Sequence, residues 1–371
     1  MKEFFKGVSK KLGFGCMRLP MKGDDVDIEE TCRMVDTFIE RGFNYFDTAH
    51  GYLNGKSELA VRDCLTSRYP RESYVLADKL SWNYFNSTEE IRPFFESQLK
   101  ACGVDYFDFY LMHAQDAKKY ERYTRLKAYE TAYKFKEEGL IKHFGLSFHD
   151  KADVLDKILS EHPEVEFVQI QFNYIDYDDP SVESRKCYEV CVKHGKPVIV
   201  MEPIKGGSLI NLPDDAQAVF DELGGQSNAS YAVRFAAGFD NVFMVLSGMN
   251  SAANMDDNTS YMQNFKPLDE KERAAVKKVV EILNSRDIIP CTTCRYCMEV
   301  CPKQIPIPNV FSLLNSKRQF NNWNTSYYYE VRTRDGKKAS DCIKCGRCEK
   351  ICPQHLEIRK LLEDVAAEFE K

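Results

Sequence analysis

Four ionisable side chains stand at or just past the ends of short apolar runs in the first third of the chain. Asp47 and Tyr52 follow FNYFDT, Lys79 lies in YVLADKL, and His113 closes FDFYLMH. Singly each is ordinary: a lysine ending such a run is usually solvated, and a histidine there is usually a satisfied core residue. Together they compose a proton-donating device. A tyrosine, with an unperturbed pKa of about 10, is a poor acid at neutral pH; a lysine cation beside it stabilises the phenolate and lowers that value. A carboxylate keeps the lysine charged and oriented, and a histidine donates a hydrogen bond that aligns a carbonyl. Such a set protonates a carbonyl oxygen while hydride reaches the carbon.

A second constellation lies near the end of the chain. CTTCRYCMEVCP (291–302) and CIKCGRCEKICP (342–353) carry cysteines at one spacing, C-x2-C-x2-C-x3-C-P. Zinc sites mostly take their ligands as two separated pairs. Three closely spaced thiolates and a fourth before proline suit wrapping an iron–sulfur cubane instead, and two such runs imply two [4Fe–4S] clusters. Six further cysteines (Cys16, Cys32, Cys64, Cys102, Cys187 and Cys191) are scattered through the first 191 residues and are expected to be small buried hydrophobes.

The elements that must position the first set alternate. β-rich runs at 12–17, 43–48, 74–80, 107–113, 143–149, 167–173, 197–202 and 242–248 are separated by amphipathic stretches. DIEETCRMVDTFIERG (27–42) places Ile28, Cys32, Val35, Phe38 and Ile39 on one helical face, and TEEIRPFFESQLKACG (88–103) stops at a glycine. Strand–helix alternation implies parallel strands, and eight repeats in about 250 residues predict an α/β fold, the (β/α)8 TIM barrel. A doubly wound sheet is the rival, but no G-x-G-x-x-G follows the first run. In a barrel the chemistry sits at the C-terminal ends of the strands, where all four side chains fall.

FDTAHGY (46–52), Lys79 in LADKL, LMH (111–113) and GLSFH (145–149) resemble the aldo-keto reductases, and the likeness runs through the whole barrel in order. It implies Asp47 as orienting carboxylate, Tyr52 as general acid, Lys79 as its tuner and His113 as the substrate-positioning group. It also implies a nicotinamide cofactor, NADP(H) or NAD(H), bound across the barrel mouth. Ser147 and Gln169 resemble the family's carboxamide-binding pair, with Gln171 as the alternative on the same face. Met201 stands where many members stack a tyrosine on the nicotinamide. Lys205, Gly206 and Gly207 in MEPIKGG can hold a pyrophosphate or form an ordinary turn. SGMNSAANMDDN (247–258) resembles the loop that closes on the adenosine phosphates: Ser247, Gly248, Met249 and Asn250 offer backbone N–H groups, and Asp257 and Asn258 match its closing pair. The basic residues that usually clamp a 2′-phosphate fall on Gly248 and Asn254, so NADP preference lacks its arginine fork.

The tail resembles an α-helical ferredoxin. In bacterial-type two-cluster ferredoxins the fourth cysteine of each run serves the other cluster. That likeness implies one cluster on Cys291, Cys294, Cys297 and Cys352, and one on Cys342, Cys345, Cys348 and Cys301. IPNVFSLLNSKRQF (307–320) and LEIRKLLEDVAAEF (356–369) read as helices, and SYYYE (326–330) with Trp323 is expected to cover a cluster from water. The expected domains are a barrel over 1–265, a connecting helix over 266–290 and a ferredoxin-like domain over 291–371. From 291 onward 14 Lys+Arg face 10 Asp+Glu, a positive surplus that offsets two thiolate-ligated clusters.

The net charge of −6, without a long basic run, argues against a nucleic-acid partner. No apolar run reaches membrane-helix length and lysines interrupt the N-terminus at once, which predicts a soluble, cytoplasmic protein. Three functions follow. The first is a carbonyl reductase acting on a small molecule, with clusters for structure, sensing or docking. The second is an electron-transfer enzyme exchanging single electrons with a ferredoxin, with a flavin as the two-to-one converter, although no flavin motif is visible. The third is a nicotinamide-binding sensor or scaffold.

Overall fold

The computed structural model describes residues 7–291, 293–321, 324–334 and 336–371. Eight parallel strands close into a barrel: β1 Leu12–Gly15, β2 Tyr45–Asp47, β3 Val75–Leu80, β4 Phe107–Gln115, β5 Ile141–Phe148, β6 Phe167–Gln171, β7 Val198–Met201 and β8 Val242–Ser247. Each pairs with its neighbours in sequence, and β1 closes the ring against both β2 and β8. All eight strands lie within or across the apolar runs, most of them shorter by one to three residues; β4 and β5 are the ones that extend further. A short antiparallel hairpin, Met21–Lys22 with Asp25–Val26, follows β1 and was not foreseen.

Alternation along the strands builds two layers of core. Tyr45, Ala77, Phe109, Leu111, Phe167, Ile199, Met244 and Leu246 fill the lumen, while Phe14, Phe46, Leu76, Tyr110 and Phe144 join the surrounding helices in a larger cluster. Lumen packing is tight enough to require a missing side chain: a Cβ on Gly145 would lie 2.5 Å from the Phe167 ring. The helix at Ile28–Glu40 is capped by Asp27, whose side chain accepts from Glu30 N. The helix at Ile91–Cys102 ends on Gly103 in the left-handed region (φ +66°).

Pairing puts the candidate residues on common levels. Gly15 pairs with Asp47 and Asp47 with Ala77; Phe14 pairs with Ser247, Lys79 with Leu111, and Ser147 with Gln169. Between Met112 and Gln115 the β4–β5 register slips, with Ala114 at φ +53°. This bulge sits immediately after His113 and re-aims the strand end.

The chain divides into two compact units. One comprises 1–177, 182–206 and 226–269; the other comprises 178–181, 207–225 and 270–371. The helix foreseen over 266–290 spans Glu270–Asn284, buries Ala275, Val276, Val279 and Leu283, and groups with the second unit. That unit has its own core, in which Ile305, Ile307, Val310, Phe311, Leu314, Ile358, Leu362 and Val365 are buried around the cysteine runs. Its helices include Ile307–Phe320 and Ile358–Phe369, close to where the apolar periodicity placed them. Among the described residues no helix is long and apolar enough to cross a membrane.

Candidate active site and cluster cradles

Lys79 points into the mouth of the barrel and is fully enclosed. Its Nζ donates to Asp47 Oδ1 at 2.6 Å and to the Thr48 carbonyl at 2.7 Å, and it lies 4.8 Å from the centroid of the Tyr52 ring. The Lys79 and Asp47 side chains are 1% and 3% exposed. Burial works to lower the Lys79 pKa, yet the Asp47 carboxylate and Tyr52 overcome it and hold the ammonium above its usual range. Asp47 is itself pushed upward by burial, with Lys79 opposing the shift. The Lys79 ammonium therefore stands as a fixed charge beside a phenol, with Asp47 as its counter-ion.

The direction of the Tyr52 shift corrects the sequence expectation. Burial raises its pKa above the ordinary tyrosine value, and the charge and hydrogen bond of Lys79 offset that rise without reversing it. Tyr52 thus keeps its proton at neutral pH, and the Lys79 ammonium is placed where it would stabilise a phenolate.

His113 faces Tyr52 edge to face, with ring centroids 6.0 Å apart. Desolvation and the Lys79 charge depress its pKa well below the usual histidine value, so the ring is neutral. Its Nδ1 lies 2.6 Å from Ser81 Oγ. A hydroxyl donating to Nδ1 leaves the imidazole proton on Nε2, available to a carbonyl oxygen. Tyr123 ties the two strand ends together by donating to the Leu80 and His113 carbonyls at 2.5 and 3.1 Å. Ser81 was not anticipated, because one serine after a strand has no pattern to mark it. Its loss removes about 1 kcal/mol of orientation. Ser81→Ala is accordingly expected to lower kcat for carbonyl reduction roughly fivefold to tenfold, with KM for the nicotinamide unchanged, as read by steady-state kinetics.

A buried carboxyl pair behind the site was also missed. Gln98 Nε2 donates to Glu58 Oε1 at 3.2 Å and to Asp78 Oδ1 at 3.1 Å, and His50 Nδ1 lies 2.8 Å from the second Glu58 oxygen. Burial and then the neighbouring Glu58 push Asp78 well above the carboxylate range.

The cofactor candidates divide by what already occupies them. Ser147 Oγ accepts from Ala114 N at 2.7 Å, leaving its own O–H to donate. Gln169 is buried and its Oε1 has no partner, whereas Gln171 Nε2 is spent on Glu202 at 3.2 Å. Gln169 is therefore the less committed side chain of the two. Met201, half-buried, ends β7. Lys205 is engaged by Asp176 at 2.5 Å, and Gly206 turns through φ +63°. Gly207 opens the stretch 207–225 of the other unit.

In the loop after β8, the Met249 side chain is buried in the core and leaves only its backbone. Ser247 Oγ donates to Asn258 Oδ1 at 2.7 Å, and Asp257 accepts from Ser227 at 2.8 Å. The closing pair Asp257–Asn258 thus clasps the loop to the barrel end. Ser251 caps the helix Ala252–Met262, and Ala252 N donates to Glu30 Oε1 at 3.2 Å. Gly248 and Asn250 complete the loop. An unpartnered buried acceptor at Gln169, a free donor at Ser147 and glycine-opened backbone at 206 and 248 fit a nicotinamide dinucleotide.

In the second unit the cysteines gather as two cradles. One is lined by Cys291, Cys294, Cys297 and Cys352 with Phe311 and Leu356. The other is lined by Cys301, Cys342, Cys345 and Cys348 with Ile305 and Leu362. The fourth cysteine of each run therefore stands with the first three of the other, and Ile307 walls both. Four thiols facing one apolar hollow are the donor set of a cubane. Cys297 and Cys348 are buried, while Cys294 and Cys345 are exposed. The aromatic cover placed on SYYYE does not materialise. Tyr329 stacks on Phe369 at 4.9 Å and hydrogen-bonds Glu370, Tyr327 and Tyr328 are exposed, and none lines a cradle; Trp323 lies outside the described residues.

A closed parallel barrel with a lysine–carboxylate pair beside a tyrosine, joined to a unit with two four-cysteine cradles, defines a class of barrel oxidoreductases. Residues 11–281 match the Aldo/keto reductase family and residues 290–357 match the 4Fe-4S dicluster domain. The chain belongs to the aldo/keto reductase family and carries a 4Fe-4S dicluster domain. It is similar to the 4-dihydromethyl-trisporate dehydrogenase of Mucor mucedo, 38% identical over 27% of this chain and 30% of that one. It is likewise similar to the NADH-specific methylglyoxal reductase of Escherichia coli, 27% identical over 54% of this chain and 65% of that one. These alignments span less than two thirds of either relative. Among solved structures, aldo-keto reductase AKR11C1 from Bacillus halodurans (holo form) superposes with a TM-score of 0.57 at 23% identity, covering 73% of this chain and 92% of that one. An aldo-keto reductase from Klebsiella pneumoniae in complex with NADPH does so with a TM-score of 0.57 at 18% identity, covering 73% and 90%. Both likenesses concern the fold.

Proposed function

We propose that the barrel reduces a small aldehyde or ketone to the alcohol with NAD(P)H as donor, using Tyr52 as general acid. The observation that carries this reading is the enclosed Lys79, held by Asp47 and set over the Tyr52 ring. Ser147 and Gln169 would hold the carboxamide; the nicotinamide, when bound, supplies the hydride. His113 Nε2–H orients the carbonyl oxygen, Tyr52 delivers a proton to it, and the Lys79 ammonium meets the phenolate charge that develops. Positions 248 and 254 carry no basic side chain of their own, and with the Glu30 carboxylate on Ala252 N these residues serve NAD(H) as well as NADP(H). Methylglyoxal is a sensible first probe, since it names the activity of one relative. The direct test is anoxic turnover of methylglyoxal and simple aromatic aldehydes with NADH and NADPH. Alcohol formation supports the reading, and failure with every aldehyde and ketone tried contradicts it.

The shifts fix a pH profile. Tyr52 and Lys79 must both be protonated for reduction, and both are raised above their ordinary values. Their acid forms therefore persist until the pH passes those raised values. His113 must be neutral and is depressed, so it charges only well below its usual range. The expected profile of kcat for reduction is flat from about pH 6.5 to about pH 10, with loss only outside that window.

A second reading, exchange of single electrons with a soluble carrier, draws support from Cys294 and Cys345, which bring both cradles to the surface. It does not require the barrel chemistry to be different.

A further inference from the structure

The loop that follows β1 contributes a cation to the barrel mouth. Cys16–Arg18 forms a single turn of 3-10 helix. Ser57 Oγ holds it by donating to the Cys16 carbonyl at 2.9 Å, and Leu19, the residue after the turn, is buried. Arg18 itself is exposed, and its side chain lies between the loops after β7 and β8. A Cβ placed on Gly206 would be 3.7 Å from a guanidinium nitrogen of Arg18, and one on Gly248 would be 3.8 Å from both its Cβ and its other terminal nitrogen. Among the described residues Arg18 makes no ion pair, while other basic side chains are taken: Lys205 by Asp176, Arg41 by Asp256, and Arg33 by Glu29 and Glu30. An uncommitted guanidinium fork lying over two glycine-opened stretches of backbone is suited to a diphosphate.

We propose that Arg18 binds the pyrophosphate of the dinucleotide, supplying from the first βα loop the positive charge that the loop after β8 lacks. This rests on the reading of the barrel as nicotinamide-dependent. It is a charge-assisted contact, so its removal is expected to weaken binding about 10- to 100-fold.

The test is isothermal titration of the full chain, purified under anoxia, with NADH, NADPH, ADP-ribose and adenosine. For Arg18→Ala, the Kd values for NADH, NADPH and ADP-ribose should rise together by that factor, that for adenosine should not move, and Arg18→Lys should recover part of the loss. An unchanged iron–sulfur spectrum and far-ultraviolet circular dichroism exclude misfolding. Unaltered ADP-ribose affinity in Arg18→Ala, with the parent chain binding it, overturns the role of Arg18 alone. Loss confined to NADPH assigns Arg18 to a 2′-phosphate and also overturns it. A parent chain that binds neither NADH nor NADPH overturns the nicotinamide reading itself.

Discussion

Tyr52→Phe is expected to lower the rate of carbonyl reduction by about 10²–10⁴-fold, the range a positioned general acid contributes, while nicotinamide affinity and the iron–sulfur spectrum stay as they are. The substitution removes one oxygen and keeps the ring over which Lys79 sits, 4.8 Å from the centroid. The ammonium retains Asp47 and the Thr48 carbonyl, so no buried charge is stranded and the fold has no reason to change. What disappears is the O–H that the raised pKa keeps in place at neutral pH. The effect therefore belongs in kcat rather than in cofactor binding. Near-native rates in this variant would mean that another group, or water, delivers the proton.

The second large effect concerns the tail. Cys291 and Cys352 stand in one cradle although 61 positions separate them, and Cys301 stands with Cys342, Cys345 and Cys348. Replacing both Cys291 and Cys352 by serine should therefore empty one cradle and leave the other filled. Iron content and the visible absorption should fall to about half. Ligation of each run to its own cluster predicts the opposite, since that double substitution would strike both clusters at once. Replacing Cys291 and Cys301 together reverses the expectations: both clusters suffer under the crossed arrangement and one under the uncrossed. Two double variants, assayed for iron after anoxic purification, separate the arrangements even where a single variant is unstable. The unit's core is built around the cysteine runs, so loss of both clusters should also lower its thermal stability.

Much of this was legible in the chain because it is written in spacing. Apolar runs of strand length, each followed by a helical period, specified eight strands within one to three residues. The cysteine runs announce two four-thiolate sets by their spacing, whereas the exchange of their fourth members came only from the likeness to bacterial-type ferredoxins. Asp47, Lys79 and His113 could be picked out because each ends a run whose direction in a barrel is fixed. Other features depend on distances between separated segments. Ser81 matters only because β3 and β4 bring it to His113, and Arg18 matters only because β1 neighbours β8. A lone serine and a loop arginine have no periodicity. The bulge at Ala114 is a register slip between two strands, invisible in either alone. The sign of the Tyr52 shift failed for a related reason: a lysine neighbour can be guessed from a family likeness, but the cost of burying a phenol depends on what encloses it. What distinguishes Gln169 from Gln171 is likewise a distant partner, Glu202, which takes one amide and leaves the other.

Hydride and single-electron chemistry leave different isotopic records, and this gives the most direct measurement. In an anoxic single turnover with NADH or NADPH carrying deuterium at the transferable position of nicotinamide C4, the alcohol should carry that deuterium on its carbinol carbon. The iron–sulfur absorption should stay constant through the turnover. Bleaching of that absorption, with protium from water at the carbinol carbon, would contradict hydride delivery to a carbonyl protonated by Tyr52.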